Sequence, residues 1–339
     1  MRVNKKLIFI MLVGILVLLS LIGLGVGSYS ISFSGVYREI VNGLLNRGDL
    51  NSLDYLVVWN LRLPLLFTAV IAGVGLTVAG ATMQTVLKNP LADPFTTGIS
   101  AGACLGATIA ITAKIFIIGA GIGTVIFAFI FSLLPVAIIL FISKFRRSSP
   151  TSIILIGISL MFFFDALTAY LMIRADPFSL SAIYEWTIGT LSRSNWENLT
   201  IMSIIVLSVC ALIYLNSKRI NALNYDDDTA KSMGINVDRF RLLMLICVSL
   251  IAAGITSFTG IIGFIGLVSP HIARLIIGAN NKYLLLCSML VGSIFMVFSD
   301  IVAKTIAPGT LPIGIVTAMI GCPVLVFLLL SRKGGIYSD

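Results

Sequence analysis

What most constrains this chain is that its apolar residues arrive in uninterrupted runs of membrane-spanning length, one after another from end to end. A helix crossing a bilayer needs about 20 consecutive apolar residues. Runs of that kind fill the windows 7–28, 63–86, 95–117, 119–143, 152–173, 199–216, 241–258, 260–277, 284–304 and 312–331. The eighth follows the seventh almost without a polar gap, so the boundary near 258–263 is the hardest to place. The runs are continuous rather than alternating, which excludes a transmembrane barrel. Only 11% of the 339 residues are charged and 58% are hydrophobic, whereas soluble domains carry about 25% charged residues. The polar residues cannot clothe a water-soluble particle. The expected fold is all-α: a polytopic membrane bundle of about ten transmembrane helices, a single transmembrane domain over 1–339.

The first run sits behind Arg2, Lys5 and Lys6 and could be confused with a signal peptide. It is too long for a usual signal core, and Gly23 to Ser28 lacks a clear cleavage pattern, so it is read as a retained span. The net charge of +9 does not call for nucleic acid. With both termini in the cytoplasm and ten spans, sixteen of the 23 basic residues fall on the inner side, from Lys88 and Lys144 through Lys218, Arg219 and Arg241 to Arg332 and Lys333. That bias sets orientation in a membrane. Five cysteines lie in apolar surroundings without C-x-x-C spacing, which points to core packing rather than a metal site.

Three polar connections are long enough to matter. Two are external: 29–61, with Glu39, Asp49 and Asp54, and 174–198, with Trp186 and Trp196. The third, 217–240, is internal and the most legible. Residues 224–234 predict a short helix. Asp226 or Asp227 can cap it by accepting a backbone N–H, aspartates suit its positive end, and Gly234 can close it in the left-handed region. Ala230, Met233 and Gly234 give it a small, partly apolar face; on the bare sequence a solvated connector is an equal alternative.

Glycines at helical spacing, Gly98, Gly102 and Gly106, then Gly119 and Gly123, predict closely packed helices. Pro135, Pro270 and Pro323 lie inside spans, where neighbours can satisfy freed carbonyls. No G-x-x-x-x-G-K-[ST] string is present, there is one histidine, His271, and no G-x-S-x-G elbow occurs. No enzyme chemistry is legible, and no metal ligand set. Asp165, inside the fifth span, is a functional candidate because ionisable groups in lipid are expensive. The bland alternative is a carboxyl bonded within the packed interior. Asp300 and Lys304 form an i,i+4 pair in the favourable order, and Arg62 precedes Pro64 at the start of the second span.

Several strings between the spans carry a resemblance. Arg62-Leu-Pro is followed by Gly80-Ala-Thr-Met-Gln84 and Asn89-Pro-Leu-Ala-Asp-Pro94. Later come Gly263-Phe-Ile-Gly-Leu-Val-Ser-Pro-His-Ile-Ala-Arg274 and Leu311-Pro-Ile-Gly-Ile-Val-Thr-Ala-Met-Ile-Gly-Cys-Pro323. In these strings and their order the chain resembles the permease family of ATP-driven importers for iron-siderophores, haem and cobalamin, the transmembrane subunits of type II ABC importers. The resemblance implies a twenty-span permease dimer in the bacterial cytoplasmic membrane, working by alternating access. Two copies of a cytoplasmic ATP-binding subunit hold the ATP and magnesium, this chain binding no cofactor. An extracytoplasmic substrate-binding protein delivers the cargo, expected to be an iron(III)-siderophore.

By position, the resemblance makes Asp226, Asp227, Asp228, Ala230, Met233 and Gly234 the helix that couples to the ATPase. Ala230 and Gly234 would allow close approach. Arg62 and Lys304 would meet acidic residues of the binding protein. The pathway would be lined by the second, fifth and eighth spans, with Met83, Gln84 and Leu87 near the inner end of the second and an inner gate at Ser148, Ser149, Thr151 and Ser152. For Gln84 an interhelical hydrogen bond is an equal alternative. One departure stands out: where the family often has a second arginine after Arg-Leu-Pro, this chain has Leu65. The lost docking charge favours a heterodimer with a second permease over a homodimer. The rival class is an ion-coupled secondary transporter using Asp165.

Overall fold

A computed structural model describes residues 5–45, 47–49, 51–115, 121–145, 149–306 and 311–330. Among them helices follow one another through the chain: α1 (Lys5–Gly25), α2 (Phe33–Leu44), α3 (Leu53–Leu56), α4 (Leu63–Val86), α5 (Ile99–Thr112), α6 (Ile122–Ser143), α7 (Pro150–Ile173), α8 (Pro177–Thr187), α9 (Trp196–Leu215), α10 (Ser217–Ala222), α11 (Asp227–Ser232), α12 (Val237–Thr259), α13 (Ile265–Ile277), α14 (Asn281–Ile306) and α15 (Ile313–Leu330). Seven helical stretches are long and apolar enough to cross a membrane; the shorter apolar helices α5, α13 and α15 answer to the third, eighth and tenth runs.

The bundle is organised around α4. Its sequence is rich in Gly, Ala and Thr, and nearly every side of it is buried. Small residues let neighbouring backbones come close. A β-carbon on Gly73 would lie 2.6 Å from the Gly292 carbonyl oxygen of α14, and one on Gly80 would lie 1.7 Å from that of Gly266 in α13. The predicted glycine face of α5 works in the same way against α6. Gly102 and Gly106 lie under the carbonyls of Phe131 and Phe127, where a β-carbon would approach to 2.4 and 2.3 Å. Gly119 lies outside the described residues. Pro135, Pro270 and Pro323 each sit inside a helix that continues through them.

Around this interior, α1, α6, α7 and α9 turn large apolar side chains outward, among them Ile10, Ile130, Phe162 and Ile204. In water so much contiguous apolar surface would drive association; in lipid it is the proper outer face.

The short α5 and α13 span about 20 Å each by their rise, less than the roughly 30 Å hydrocarbon core. Each is entered by non-helical backbone. A 3-10 turn, Pro94–Thr97, leads to α5. Residues 260–264, with Gly260 at φ 74° and Phe264 at φ 69°, lead to α13. Irregular backbone at membrane depth is tolerated where protein surrounds it. Here strand-like bonds do that: Gly189 N–H donates to the Ile261 carbonyl (3.1 Å), Thr190 N–H to that of Thr259 (2.7 Å) and Gly314 N–H to that of Gly189 (2.9 Å). The doubtful boundary near 258–263 is therefore a real break.

The connections over 29–61 and 174–198 are more structured than their polarity predicts. Residues 29–61 contain α2 and α3, and the second span begins ten residues early, at Leu53, running through a π-helical turn, Val57–Arg62. No Gly or Pro interrupts 53–61, and Trp59 stacks on Tyr55 and packs at a tilt against Trp196 there, where aromatic residues gather at a membrane interface. The second connection contains α8, capped by Asp176, whose carboxylate accepts from the Phe178 and Ser179 N–H groups.

Asp93 caps the turn before α5, its Oδ1 accepting from Phe95 N–H (3.0 Å) and Thr96 N–H (2.9 Å). Burial pushes its carboxyl up to about 6 against those bonds. A raised carboxyl favours the folded state in its protonated form. Its contribution is then fullest below the ordinary range, about 4, and is lost as the pH rises through about 6. Asn keeps the capping oxygen without the charge. Asp93→Asn is therefore expected to melt above the parent at pH 7.5, with the gap closing by pH 4.5, as measured by thermal unfolding in detergent.

Candidate coupling site

The connection over 217–240 folds as the sequence predicts and is fastened at both ends. Asp226 is the N-cap of α11, accepting from Thr229 N–H at 3.2 Å and from the Thr229 hydroxyl. At the other end Gly234, at φ 80°, donates to the Lys231 carbonyl (2.9 Å) while Ile235 donates to that of Ala230 (3.2 Å). This paired closure needs a residue that accepts the left-handed region. Just upstream, α10 is tied to the start of α14: Asn221 Oδ1 accepts from Asn281 N–H (2.7 Å), and Asn221 Nδ2 donates to Asn280 Oδ1 (3.1 Å).

Asp227 is the pin. Its carboxylate accepts from both sides: Arg241 Nη2 reaches each oxygen at 3.2 Å, and Lys88 Nζ reaches Oδ1 at 2.8 Å. Arg241, in the first turns of α12, is only 2% exposed, and its Nε donates to the Val86 carbonyl at the C-terminal end of α4 (3.1 Å). One guanidinium thus joins α11, α12 and the end of α4. Partial burial alone would raise the Asp227 carboxyl; Lys88 and Arg241 outweigh it and hold it below the usual carboxylate range. A depressed carboxyl contributes above its ordinary pKa and loses that contribution as the pH falls through the lower folded value, so the pin is intact at neutral pH. Arg241 and Lys88 enter the sequence reading only as inner-side charges. The available signal was an arginine opening an apolar span 14 residues after an acidic cluster.

The structure redraws the surface of α11. Ala230 is fully buried against the chain's own core and cannot meet a partner. The helix makes barely two turns, so the side that packs on the bundle is the one carrying its small residue. The outward side presents Asp228, Lys231, Ser232, Met233 and Gly234, with Lys231 and Asp228 paired at 2.8 Å.

The other site residues divide in the same way. Arg62 is not a free docking charge: it is 6% exposed and donates to the carbonyls of Leu24 (2.7 Å) and Tyr29 (2.5 Å), clamping the end of α1. Lys304 keeps only 9% of its side chain exposed and pairs with Asp300, Nζ to Oδ2 at 2.5 Å. A long cation at the end of a span reaches the nearest unsatisfied carbonyls or carboxylate before it reaches solvent. Leu65 is half-buried against the core; with Arg62 spent internally, a missing charge at 65 no longer argues for a heterodimer.

Met83, Gln84 and Leu87 are buried within the chain rather than facing an opening. Gln84 makes the interhelical bonds: its Nε2 donates to the Leu267 carbonyl (3.3 Å), and its Oε1 accepts from Arg274 (3.1 Å). Ser149, Thr151 and Ser152 lie at the start of α7, with Thr151 exposed and Ser149 capping the helix by accepting from Ser152 N–H (3.1 Å). Ser148 lies outside the described residues. Asp165 stands on the exposed side of α7. Four cysteines are buried as expected, but Cys322 is exposed.

The architecture is a polytopic helical bundle with a short helix braced against one end. The chain matches the FecCD transport family over residues 15–331 and belongs to it. It is 41% identical to a protein of Methanocaldococcus jannaschii designated an ABC transporter permease, over 97% of this chain and 95% of the other. It is 38% identical to a Helicobacter pylori permease named for iron chelatin transport, over 94% and 96%. A solved structure described as an inward-facing metal-chelate type ABC transporter superposes with a TM-score of 0.84 at 29% identity, covering 97% of this chain and all of that one. Relatives at 31 to 33% identity are named for molybdate, hemin and cobalamin import. The chain is a multi-pass permease subunit of an ABC importer, and the ion-coupled secondary carrier built on Asp165 falls away.

Proposed function

We propose that this permease imports an iron(III)-siderophore, driven by a separate ATPase that docks on the outward side of α11. The observation that carries the reading is the pin: a load placed on α11 passes through Asp227 and Arg241 into α4 and α12, the most enclosed spans of the bundle. ATP and magnesium belong to the ATPase subunits, two copies of which serve a pair of permeases. The binding protein delivers cargo at the end opposite α11. Arg62 and Lys304 shape that end as internal braces and leave charge complementarity, which mainly governs on-rate, to other side chains. Ser149, Thr151 and Ser152 at the mouth of α7 offer neutral hydroxyls to a polar chelate near the inner gate. The iron-chelate assignment draws on the name of the Helicobacter relative.

Reconstitution of this chain with its ATPase and binding protein in proteoliposomes tests the reading. ATP-dependent uptake of a radiolabelled ferric siderophore is expected, with hemin, cobalamin and molybdate not competing. Uptake of one of those in its place reassigns the cargo. Full transport with this chain as the sole permease establishes a homodimer; a requirement for a second permease establishes the heterodimer.

A further inference from the structure

Away from α11, at the opposite end of the bundle, two adjoining cavities form one cleft. The outer part, about 570 Å³, is lined by polar groups including Glu185, Arg193, Asn195 and Glu197. The inner part, about 350 Å³, is lined by apolar side chains of α6 and α9, among them Ile126, Phe129, Ile130, Ile201 and Ile205. The two share Ile122, Val125, Glu197, Asn198, Ser257 and Phe258. Ile126, Ile130 and Ile201 are exposed, so the apolar half opens sideways, towards the lipid rather than the interior of the bundle. The chemistry changes along the cleft from charged to hydrocarbon, as it does along an amphiphile lying at the interface. Beyond Glu197, Asn198 and Ser257 at the junction, the inner part is lined by hydrocarbon, which suits an acyl chain rather than a polar chelate.

The charges select the amphiphile. Arg193 Nη2 donates to the Glu185 carbonyl at 3.2 Å, while Nη1 is buried without a hydrogen-bond partner. Guanidinium groups match phosphate oxygens through paired donors, so a phosphate is the group that would satisfy this guanidinium once it turns into the outer part that it lines. Glu185 and Glu197 stand in the same outer part. Two carboxylates against one guanidinium disfavour a headgroup of net negative charge and favour one carrying its own cation. A primary ammonium offers N–H donors to carboxylates, which a quaternary ammonium lacks.

We propose that this cleft binds one phospholipid with a zwitterionic primary-amine headgroup, of phosphatidylethanolamine chemistry. Its phosphate lies at Arg193, its ammonium at Glu185 and Glu197, and an acyl chain fills the groove between α6 and α9. An occupied cleft braces the ends of α6, α9 and α12 against one another, giving the permease a dependence on the composition of its membrane.

Native mass spectrometry of the purified full-length chain with added dioleoylphosphatidylethanolamine tests this. The parent is expected to retain one such lipid in preference to the phosphatidylcholine and phosphatidylglycerol of the same chains. Arg193→Gln should weaken retention about tenfold. Ile201→Trp, which fills the groove and leaves every charge in place, should do the same, and Glu197→Gln should erase the preference over phosphatidylcholine. Lipid-free melting midpoints equal to that of the parent identify these losses as binding effects. Undiminished retention by both Arg193→Gln and Ile201→Trp overturns the proposal. So does equal retention of all three lipids by the parent, or displacement of the lipid by inorganic phosphate alone, which would make the cleft an anion site.

Discussion

Arg241→Ala is expected to uncouple the permease while leaving most of the bundle standing. The substitution removes the bidentate partner of Asp227 and the donor to the Val86 carbonyl in one step. Removing one member of a buried ion pair costs about 3–5 kcal/mol. Asp227 is about a third exposed and keeps Lys88, so water recovers part of that, and about 2–3 kcal/mol is expected here. The loss falls on one joint. Without it α11 is held by the packing of Ala230 and by Lys88, with the Asn221 contacts one element upstream, and the direct link from Asp227 to the end of α4 through Arg241 is gone. The thermal midpoint in detergent should drop modestly. ATP-driven uptake should fall by an order of magnitude or more, and ATP hydrolysis should persist. Arg241→Lys is expected to restore only part of the function, because an ammonium cannot hold both carboxylate oxygens and the Val86 carbonyl in the fixed geometry of a guanidinium.

Gly80→Ala should have the larger effect on stability. The added carbon meets the Gly266 carbonyl oxygen at 1.7 Å, with the carbonyl carbon and α-carbon of Gly266 also inside 3 Å. These are backbone atoms and cannot rotate away. Either α4 and α13 separate, or the break before α13 shifts. Overpacking typically costs 1–3 kcal/mol, and a clash of backbone against backbone belongs at about 3 kcal/mol or above on that scale. Thermal unfolding should show the loss directly. As a contrast, Gly14→Ala in α1, where a β-carbon meets nothing within 4 Å, should leave the midpoint within about half a kcal/mol of the parent.

The two effects mark what was legible in the sequence and what was not. The spans were legible because lipid imposes one dominant demand, continuous apolar length, and the ten windows carry it. The caps of α11 were legible because Asp226 and Gly234 act on backbone groups within a few residues of themselves. The glycine face of α5 was visible from its four-residue spacing. Gly80 and Gly266 announce no such period; their meeting depends on how two distant helices are brought together.

The same holds for charge. The Asp300–Lys304 pair was visible from its i,i+4 spacing, but Arg62 looked like a free cation because sequence shows what a side chain carries and not what lies within its reach. For Arg62 the reach ends at carbonyls 38 and 33 residues away. Arg241 was hidden among topology-setting charges, although it proves to be the joint of the coupling site. Ala230 was assigned to the wrong side of α11 because a helix this short has too few residues for its periodicity to say which side meets the bundle.

The central claim is that the outward side of α11 receives the ATPase. Met233→Arg tests it most directly, since Met233 is 58% exposed in the last turn of the helix and a cation there suits the helix dipole. The chain should fold as the parent does, with an unchanged thermal midpoint. The amount of ATPase that co-purifies, and ATP-driven uptake with it, should fall by about tenfold or more, equivalent to some 1.4 kcal/mol of lost docking energy. Normal ATPase recovery together with undiminished uptake would contradict the account, leaving α11 a braced connector and placing the ATPase contact elsewhere on the chain.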